Sequence, residues 1–140
     1  MKVISVVTLG VSDLDESTSF YERIGYVKSK KSSKTITFFR TGGTTFALYP
    51  RGLLAEDVNV NSEGSGFRGF TLAINLRSKE EVDSFFEEVV RAGATPVKRP
   101  QKVFWGGYSS YFSDPDGHLW EVVWNPYTEV DDAGKNLVDE

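Results

Sequence analysis

The side chains best suited to chemistry in this chain are grouped near residue 120. A turn sequence, Asp114-Pro115-Asp116-Gly117, leads into the single histidine, His118, and Glu121 follows three positions later. Imidazole and carboxylate groups act as general acids and bases or bind divalent metals. On an alternating strand, however, His118 and Glu121 point to opposite faces and cannot share an ion. The two turn carboxylates could bind calcium, although hydrogen bonds within the turn account for them without an ion.

Composition excludes several other kinds of chemistry. The chain has 140 residues, a formal net charge of −4, 39% hydrophobic and 26% charged residues, and no cysteine. Disulfides, thiolate metal sites and cysteine nucleophiles are therefore excluded, and the composition fits a reducing, cytoplasmic compartment. No apolar run is long enough to span a bilayer, so we expect no membrane partner.

The basic residues favour no polyanionic partner. Lysines cluster only between Lys28 and Lys34, whereas a nucleic-acid site needs several aligned cations together with stacking aromatics. We interpret this cluster as a solvated strand edge that its lysines protect, and we expect no nucleic-acid partner. Arg40 and Arg51 could meet an anionic group, but solvated side chains are the simpler interpretation.

The chain repeats itself. Ser19-Phe20-Tyr21-Glu22 returns 65 residues later as Ser84-Phe85-Phe86-Glu87, and each copy follows a β-branched run and precedes a glycine. A repeat of this length indicates that one unit was doubled, which allows equivalent positions in the two halves to be compared.

The elements that position these residues follow the same order in both halves. In the first half, hydrophobic alternation and turn residues predict a helix from an N-cap at Ser12 to Gly25 and strands over 3–11, 26–31, 35–40 and 44–49. In the second half they predict a helix from a capping box at Ser78 to Gly93 and strands over 70–76, 95–98, 108–112 and 118–124. Residues 51–68 form a connector, and residues 127–140 an acidic, flexible tail.

This order and two local motifs resemble the vicinal oxygen chelate superfamily, which includes glyoxalase I, extradiol dioxygenases and the fosfomycin- and bleomycin-resistance proteins. The motifs are Val11-Ser12-Asp13-Leu14-Asp15 before Phe20-Tyr21, and the Asp-Pro-Asp-Gly-His turn before Trp120-Glu121. The resemblance implies an α+β fold in which two tandem βαβββ modules form a cup-shaped mixed sheet around a ligand. Residues 1–126 would form one such domain, with module one at 1–50, the connector at 51–68 and module two at 69–126.

The resemblance also implies, in many members, a metal held by the first and last strands of each module. The corresponding positions here are Val6, Ala47, Thr71 and Glu121. Valine and alanine offer no donor atom, whereas a divalent site needs about three or four nitrogen, oxygen or sulfur ligands. We therefore predict a member that uses neither a metal nor another cofactor.

Strand alternation and the resemblance together predict the lining of the cup. Glu121 would be its one acid, acting as a counter-ion, a hydrogen-bond acceptor or a general base, or simply satisfied by a neighbour. Aromatic residues beside Gly106-Gly107 could form a stacking lid, but they could equally anchor a loop or contact a second subunit. The candidate ligand-binding residues are Thr8, Tyr49, Thr71, Asn75, Trp105, Tyr108, Tyr111 and Glu121, with the facing of Tyr111 left open.

Three functions compete on this basis. The leading hypothesis is a protein similar to the bleomycin-resistance proteins, a homodimer that binds a small aromatic or cationic molecule in its cup without metal. The second is a metal-independent lyase or isomerase that uses Glu121 as its general base. The third is a protein-interaction module with an empty cup.

Overall fold

The computed structural model describes residues 2–137, and these form two compact units, divided between residues 68 and 69. The first unit consists of β1 (Val6–Val11), α1 (Leu14–Arg23), β2 (Val27–Lys28), β3 (Thr37–Arg40), β4 (Thr45–Pro50) and α2 (Arg51–Val58). Its sheet has the strand order β1-β4-β3-β2, with β1 and β4 parallel and the other pairs antiparallel.

The second unit repeats this topology. It consists of β5 (Leu72–Leu76), α3 (Lys79–Arg91), β6 (Thr95–Lys102), β7 (Tyr108–Ser113) and β8 (Leu119–Trp124), followed by β9 (Glu129–Val130) and β10 (Asn136–Leu137). The strand order is β5-β8-β7-β6, again with one parallel pair, β5 and β8. The predicted α+β class and the doubled βαβββ unit are therefore confirmed.

One helix of each unit, α1 or α3, packs on a sheet face and buries an aromatic core. In the first unit Tyr21 of α1 is fully buried, and its ring centroid lies 4.9–5.8 Å from those of Tyr26, Phe39 and Phe46. In the second unit Phe86 of α3 is fully buried on the side of the sheet that carries Phe112 and Val122. Each helix thus covers one face of its sheet and leaves the other face to line cavities.

The helix starts follow capping chemistry. Ser78 is the N-cap of α3 as predicted, and its hydroxyl accepts the backbone N–H of Glu81 at 3.1 Å. The N-cap of α1 is Asp13 rather than Ser12, because the carboxylate of Asp13 accepts the N–H of Glu16 at 3.0 Å. Asp13 and Glu16 have the capping-box spacing themselves, so that prediction was one residue early.

Besides the strands β1, β2, β3 and β5, which are shorter than predicted, three segments differ from the sequence-based expectation. Within the connector, α2 forms although none of its residues is buried. At the sheet edge, β6 continues to Lys102, with register shifts against β7 between Pro96 and Lys98 and between Lys98 and Gln101.

The third segment is the acidic tail, in which β9 and β10 pair as a hairpin. Arg77 holds this hairpin through the Asp132 carboxylate at 2.9 Å and the Val130 carbonyl at 3.2 Å. Residues 138–140 of the predicted tail lie outside the described residues. No helix within residues 2–137 is long and apolar enough to cross a membrane.

Candidate ligand-binding site

Alternation along β7 and β8 separates two faces of the second sheet. Ser110, Phe112 and Val122 are fully buried on the face that α3 covers. Tyr111 and Glu121 are direct cross-strand partners, so both project from the opposite face. The Tyr111 side chain therefore lies on the same face of the sheet as Glu121, a point that the sequence left open.

Glu121 is the centre of a small hydrogen-bonded group. The Ser109 hydroxyl, on a side chain only 4% exposed, donates to Oε2 of Glu121 at 2.6 Å. Burial raises the pKa of Tyr111, and the negative charge of Glu121 and a hydrogen bond to it raise this pKa further. One carboxylate therefore faces two hydroxyl donors.

A cavity of about 330 Å³ opens over this group. Trp105 contributes an aromatic wall, and its position depends on Gly107, two residues further along the chain. A Cβ atom at Gly107 would lie 2.1 Å from the Trp105 ring, so the indole lies directly on the glycine backbone. The Gly107 carbonyl in turn accepts the Val103 N–H at 3.0 Å, which closes the loop. The cavity is lined by Lys98, Gln101, Lys102, Val103, Phe104, Trp105, Ser109, Tyr111 and Glu121.

The charge of this lining is mixed. Lys98 and Lys102 of the edge strand β6 line the cavity opposite the single carboxylate, Glu121. The sequence interpretation missed both lysines because it ended this strand at Lys98 and took no lining residue from it. A ligand in this cavity can therefore meet an anionic acceptor at one point and ammonium groups at another.

The other predicted residues of the second unit lie elsewhere. The Tyr108 hydroxyl donates to the Asp83 carboxylate of α3 at 2.8 Å, and Tyr108 does not line the cavity. The hydrogen bond to this anionic acceptor raises the Tyr108 pKa. Asn75 pairs with Val123, two positions along β8 from Glu121, which places it on the Glu121 face of the sheet beyond the cavity lining. Thr71 immediately precedes β5.

Thr8 and Tyr49 belong to the first unit. Thr8 is paired with Ala47, and Tyr49 is paired with Gly10, on the sheet face away from the buried Leu9 and Leu48. A separate cavity of about 400 Å³ lies at one end of this sheet and includes Val6, Phe38 and Arg40. Neither Thr8 nor Tyr49 lines it.

The residues at the family's metal positions do not fit a metal. Ala47 and Val6 have hydrocarbon side chains, and the Glu121 carboxylate already accepts a hydrogen bond from Ser109. Within residues 2–137, no three His, Cys, Asp or Glu side chains are grouped so that they could hold an ion. Such a donor set is too poor for a divalent cation.

Comparison with known proteins bears on the fold and the site. The family model described as "Glyoxalase/Bleomycin resistance protein/Dioxygenase superfamily" matches residues 3–122. Two curated proteins named metallothiol transferase FosB are similar to this chain. The protein from Shouchella clausii (strain KSM-K16) is 30% identical over 120 residues, covering 85% of this chain and 77% of its own length. The protein from Lysinibacillus sphaericus (strain C3-41) is 26% identical over 118 residues, covering 84% and 79%.

Solved structures agree with this assignment. A glyoxalase-related enzyme from Fulvimarina pelagi superposes with a TM-score of 0.87 at 32% identity, covering 99% of both chains. A glyoxalase/bleomycin resistance protein/dioxygenase from Nocardioides superposes with a TM-score of 0.73 at 27% identity, covering 89% of this chain and 83% of its own. The chain therefore belongs to the glyoxalase/bleomycin resistance protein/dioxygenase superfamily, the vicinal oxygen chelate fold.

Proposed function

We propose that this protein binds a small organic molecule in the cavity over Glu121, without a metal ion. The observation that carries the proposal is the Glu121 carboxylate, held by Ser109 at 2.6 Å within a cavity that Trp105 and Tyr111 line. A largely preformed cavity with aromatic walls and a few fixed polar groups is the usual form of a small-molecule site.

The lining suggests the chemistry of the ligand. An aromatic ring can stack on Trp105 or Tyr111, and a donor group on that ring can reach Glu121. Lys98 and Lys102 would accommodate an anionic substituent at the other side of the same molecule. The proposed ligand is therefore an aromatic compound with a cationic or donor-rich group, either alone or as part of a zwitterion.

Metal independence is part of the proposal. Two similar proteins carry the name metallothiol transferase, so a metal-assisted transfer is the activity that the comparison would suggest. The chain's own residues argue otherwise, because Glu121 is the single strong donor among Val6, Ala47, Thr71 and Glu121. We further propose that the protein works as a homodimer in the cytoplasm. The dimer is proposed because members of its superfamily commonly form dimers, and the location because the chain lacks cysteine.

A second candidate is favoured by the cross-strand pairing of Tyr111 and Glu121 on one sheet face. Glu121 could remove a proton from a carbon next to a carbonyl, and the Tyr111 hydroxyl could donate to the enolate oxygen that forms. In an α-hydroxycarbonyl compound, the proton would pass from the hydroxyl-bearing carbon to Oε of Glu121, which gives an enediolate. It would then return to the former carbonyl carbon while the hydroxyl proton moves to the other oxygen, which is an isomerisation. Neither step requires a metal.

Tryptophan fluorescence with benzamidine tests the binding proposal, because benzamidine combines an aromatic ring with a bidentate cationic donor. We expect saturable binding that Glu121→Gln weakens about tenfold, the loss typical of one charge-assisted hydrogen-bonded contact. Glu88→Gln, which removes the same charge from the exposed side of α3, should leave binding unchanged. Equal affinity in wild type and Glu121→Gln would overturn the proposal.

Deuterium exchange separates the two candidates. Hydroxyacetone in D2O serves as a simple probe with protons next to a carbonyl, and NMR follows the loss of its C–H signals. Exchange that is catalysed by the protein and lost in Glu121→Gln would favour the isomerase. Benzamidine binding without catalysed exchange supports a binding protein.

A further inference from the structure

A further cavity lies in the first unit, and none of the eight candidate ligand-binding residues lines it. Its volume is about 250 Å³, and it lies between α2, the end of β1 and the segment that follows α2. It is lined by Gly10, Arg51, Leu54, Ala55, Val58, Val60, Asn61, Ser62 and Arg68. The lining thus combines two arginines with four aliphatic side chains and contains no acidic residue.

Arg51 is fixed in this cavity by its surroundings. Its Nε donates to the Ser62 carbonyl at 2.9 Å, which orients the guanidinium group. Its Cα would lie only 3.2 Å from a Cβ atom at Gly10, so the glycine allows α2 to approach β1 closely. The nitrogens that Ser62 does not engage keep their capacity to donate.

Arg68 is positioned by a glycine in a similar way. A Cβ atom at Gly64 would lie 2.2 Å from Nη1 of Arg68, so the guanidinium lies against bare backbone. Among residues 2–137, neither Arg51 nor Arg68 has a carboxylate within ion-pair distance. Both cations therefore line one cavity with their charges uncompensated by a described partner.

The aliphatic side of the cavity comes from α2 and the residues after it. Leu54 and Ala55 are half-buried, while Val58 and Val60 are 60% and 62% exposed. Large aliphatic side chains that remain so accessible beside two arginines form an amphipathic site. Such a site matches a molecule with an anionic head and a short hydrocarbon body.

We infer that this cavity binds a small amphipathic carboxylate, with its head on Arg51 and Arg68 and its aliphatic chain on Leu54, Val58 and Val60. This site is separate from the Glu121 cavity and does not depend on the proposed function. Guanidinium groups bind carboxylates through paired N–H donors, so arginine is better suited to this head group than lysine.

Amide NMR titration with hexanoate tests the inference on the intact protein. We expect saturable shifts confined to Gly10, the α2 segment and Arg68, with Trp105 and Glu121 unaffected. Arg51→Gln and Arg68→Gln should each weaken hexanoate binding about tenfold. Arg91→Gln, at the exposed end of α3, removes the same charge and should have no effect.

Further probes separate the head group from the chain. Hexylammonium should not bind, and inorganic phosphate should bind more weakly than hexanoate because it lacks the apolar contact. Gly64→Ala keeps both charges but displaces the Arg68 guanidinium and strains the backbone, whose φ is +146° there, so it should also weaken binding. No hexanoate shifts at millimolar concentration, equal binding of hexylammonium, or shifts centred on Glu121 would each overturn the inference. If Arg51→Gln fails to fold, Arg68→Gln and Gly64→Ala still decide.

Discussion

Tyr111 and Glu121 are cross-strand neighbours, and this gives the site a measurable signature in the pKa of Tyr111. The Tyr111 pKa is raised above its ordinary value of 10.0, first by burial and then by the charge and hydrogen bond of Glu121. We expect Glu121→Gln to lower the Tyr111 pKa without returning it fully to 10.0, because burial remains. The Cζ carbon of Tyr111, followed by NMR between pH 8 and the alkaline limit of folding, reports this directly.

The same shift predicts how stability depends on pH. The folded-state pKa of Tyr111 lies above the unfolded value. The contribution of this shift to the free energy of unfolding is therefore complete below about pH 10 and is lost as pH rises through the folded-state pKa. Tyr111→Phe removes this ionisation, so the stability of the variant protein should fall less steeply above pH 10 than that of the wild type. For the earlier prediction on Glu121→Gln, a Tyr111 pKa that this substitution leaves unchanged would contradict the geometry of the pair.

At the residue scale, three of the predicted ligand-binding residues lie together. Trp105, Tyr111 and Glu121 line one cavity. Tyr108 was also predicted to bind the ligand. It lies an odd number of positions from Tyr111 and therefore projects to the α3 face, where the Asp83 carboxylate accepts a hydrogen bond from its hydroxyl. Lys98 and Lys102 reach the cavity from another strand, which no local pattern indicates.

At the scale of elements, a buried hydroxyl pair joins α1 to β3. Thr18 and Thr37 are 6% and 2% exposed, and their Oγ1 atoms are 2.7 Å apart. Thr37→Val should lower the free energy of unfolding by about 1–3 kcal/mol, because it leaves the Thr18 hydroxyl buried without its partner. Urea unfolding at neutral pH measures this loss.

The double variant completes the experiment. Replacing both residues by valine removes both polar groups, so Thr18→Val/Thr37→Val should be more stable than the sum of the single variants implies. Thr35→Val, in the exposed loop before β3, serves as the matched control and should change stability by less than about 0.5 kcal/mol. Strict additivity would show that the two hydroxyls do not depend on each other.

The elements themselves were predictable to different degrees. The helix α3 combines a capping box with an apolar stripe, Val82, Phe86 and Val89, and its location was predicted closely. The helix α2 has no buried residue and no side-chain cap, so neither periodicity nor capping marks it. For β6, Pro100 argues against a central strand but is tolerated at an edge, which explains why the strand was predicted too short.

At the scale of the whole molecule, the doubled sequence predicted the doubled topology. The four-residue repeat led to two units with the same strand order, although the details of the connector and the tail could not be obtained in this way. Short segments at a chain end depend on contacts such as that between Arg77 and Asp132, which join residues far apart in the sequence.

The proposed metal independence is also a whole-molecule prediction. We expect native mass spectrometry of the freshly purified protein to show two copies of the chain and no stoichiometric divalent metal. Adding EDTA should leave the Tm unchanged, since a protein stabilised by a bound metal loses that contribution on chelation. One metal per chain, with a lower Tm after chelation, would contradict this prediction and place the protein among the metal-dependent members of its superfamily.

The irregular strand β6 has a consequence for behaviour in solution. It ends the second sheet, where unpaired backbone groups could recruit a strand from another molecule and start aggregation. Pro96 and Pro100 cannot donate from their backbone nitrogens, and the register shifts around Lys98 disturb the regular hydrogen-bonding edge. The prolines and the register shifts of β6 therefore help to keep concentrated protein from associating edge to edge.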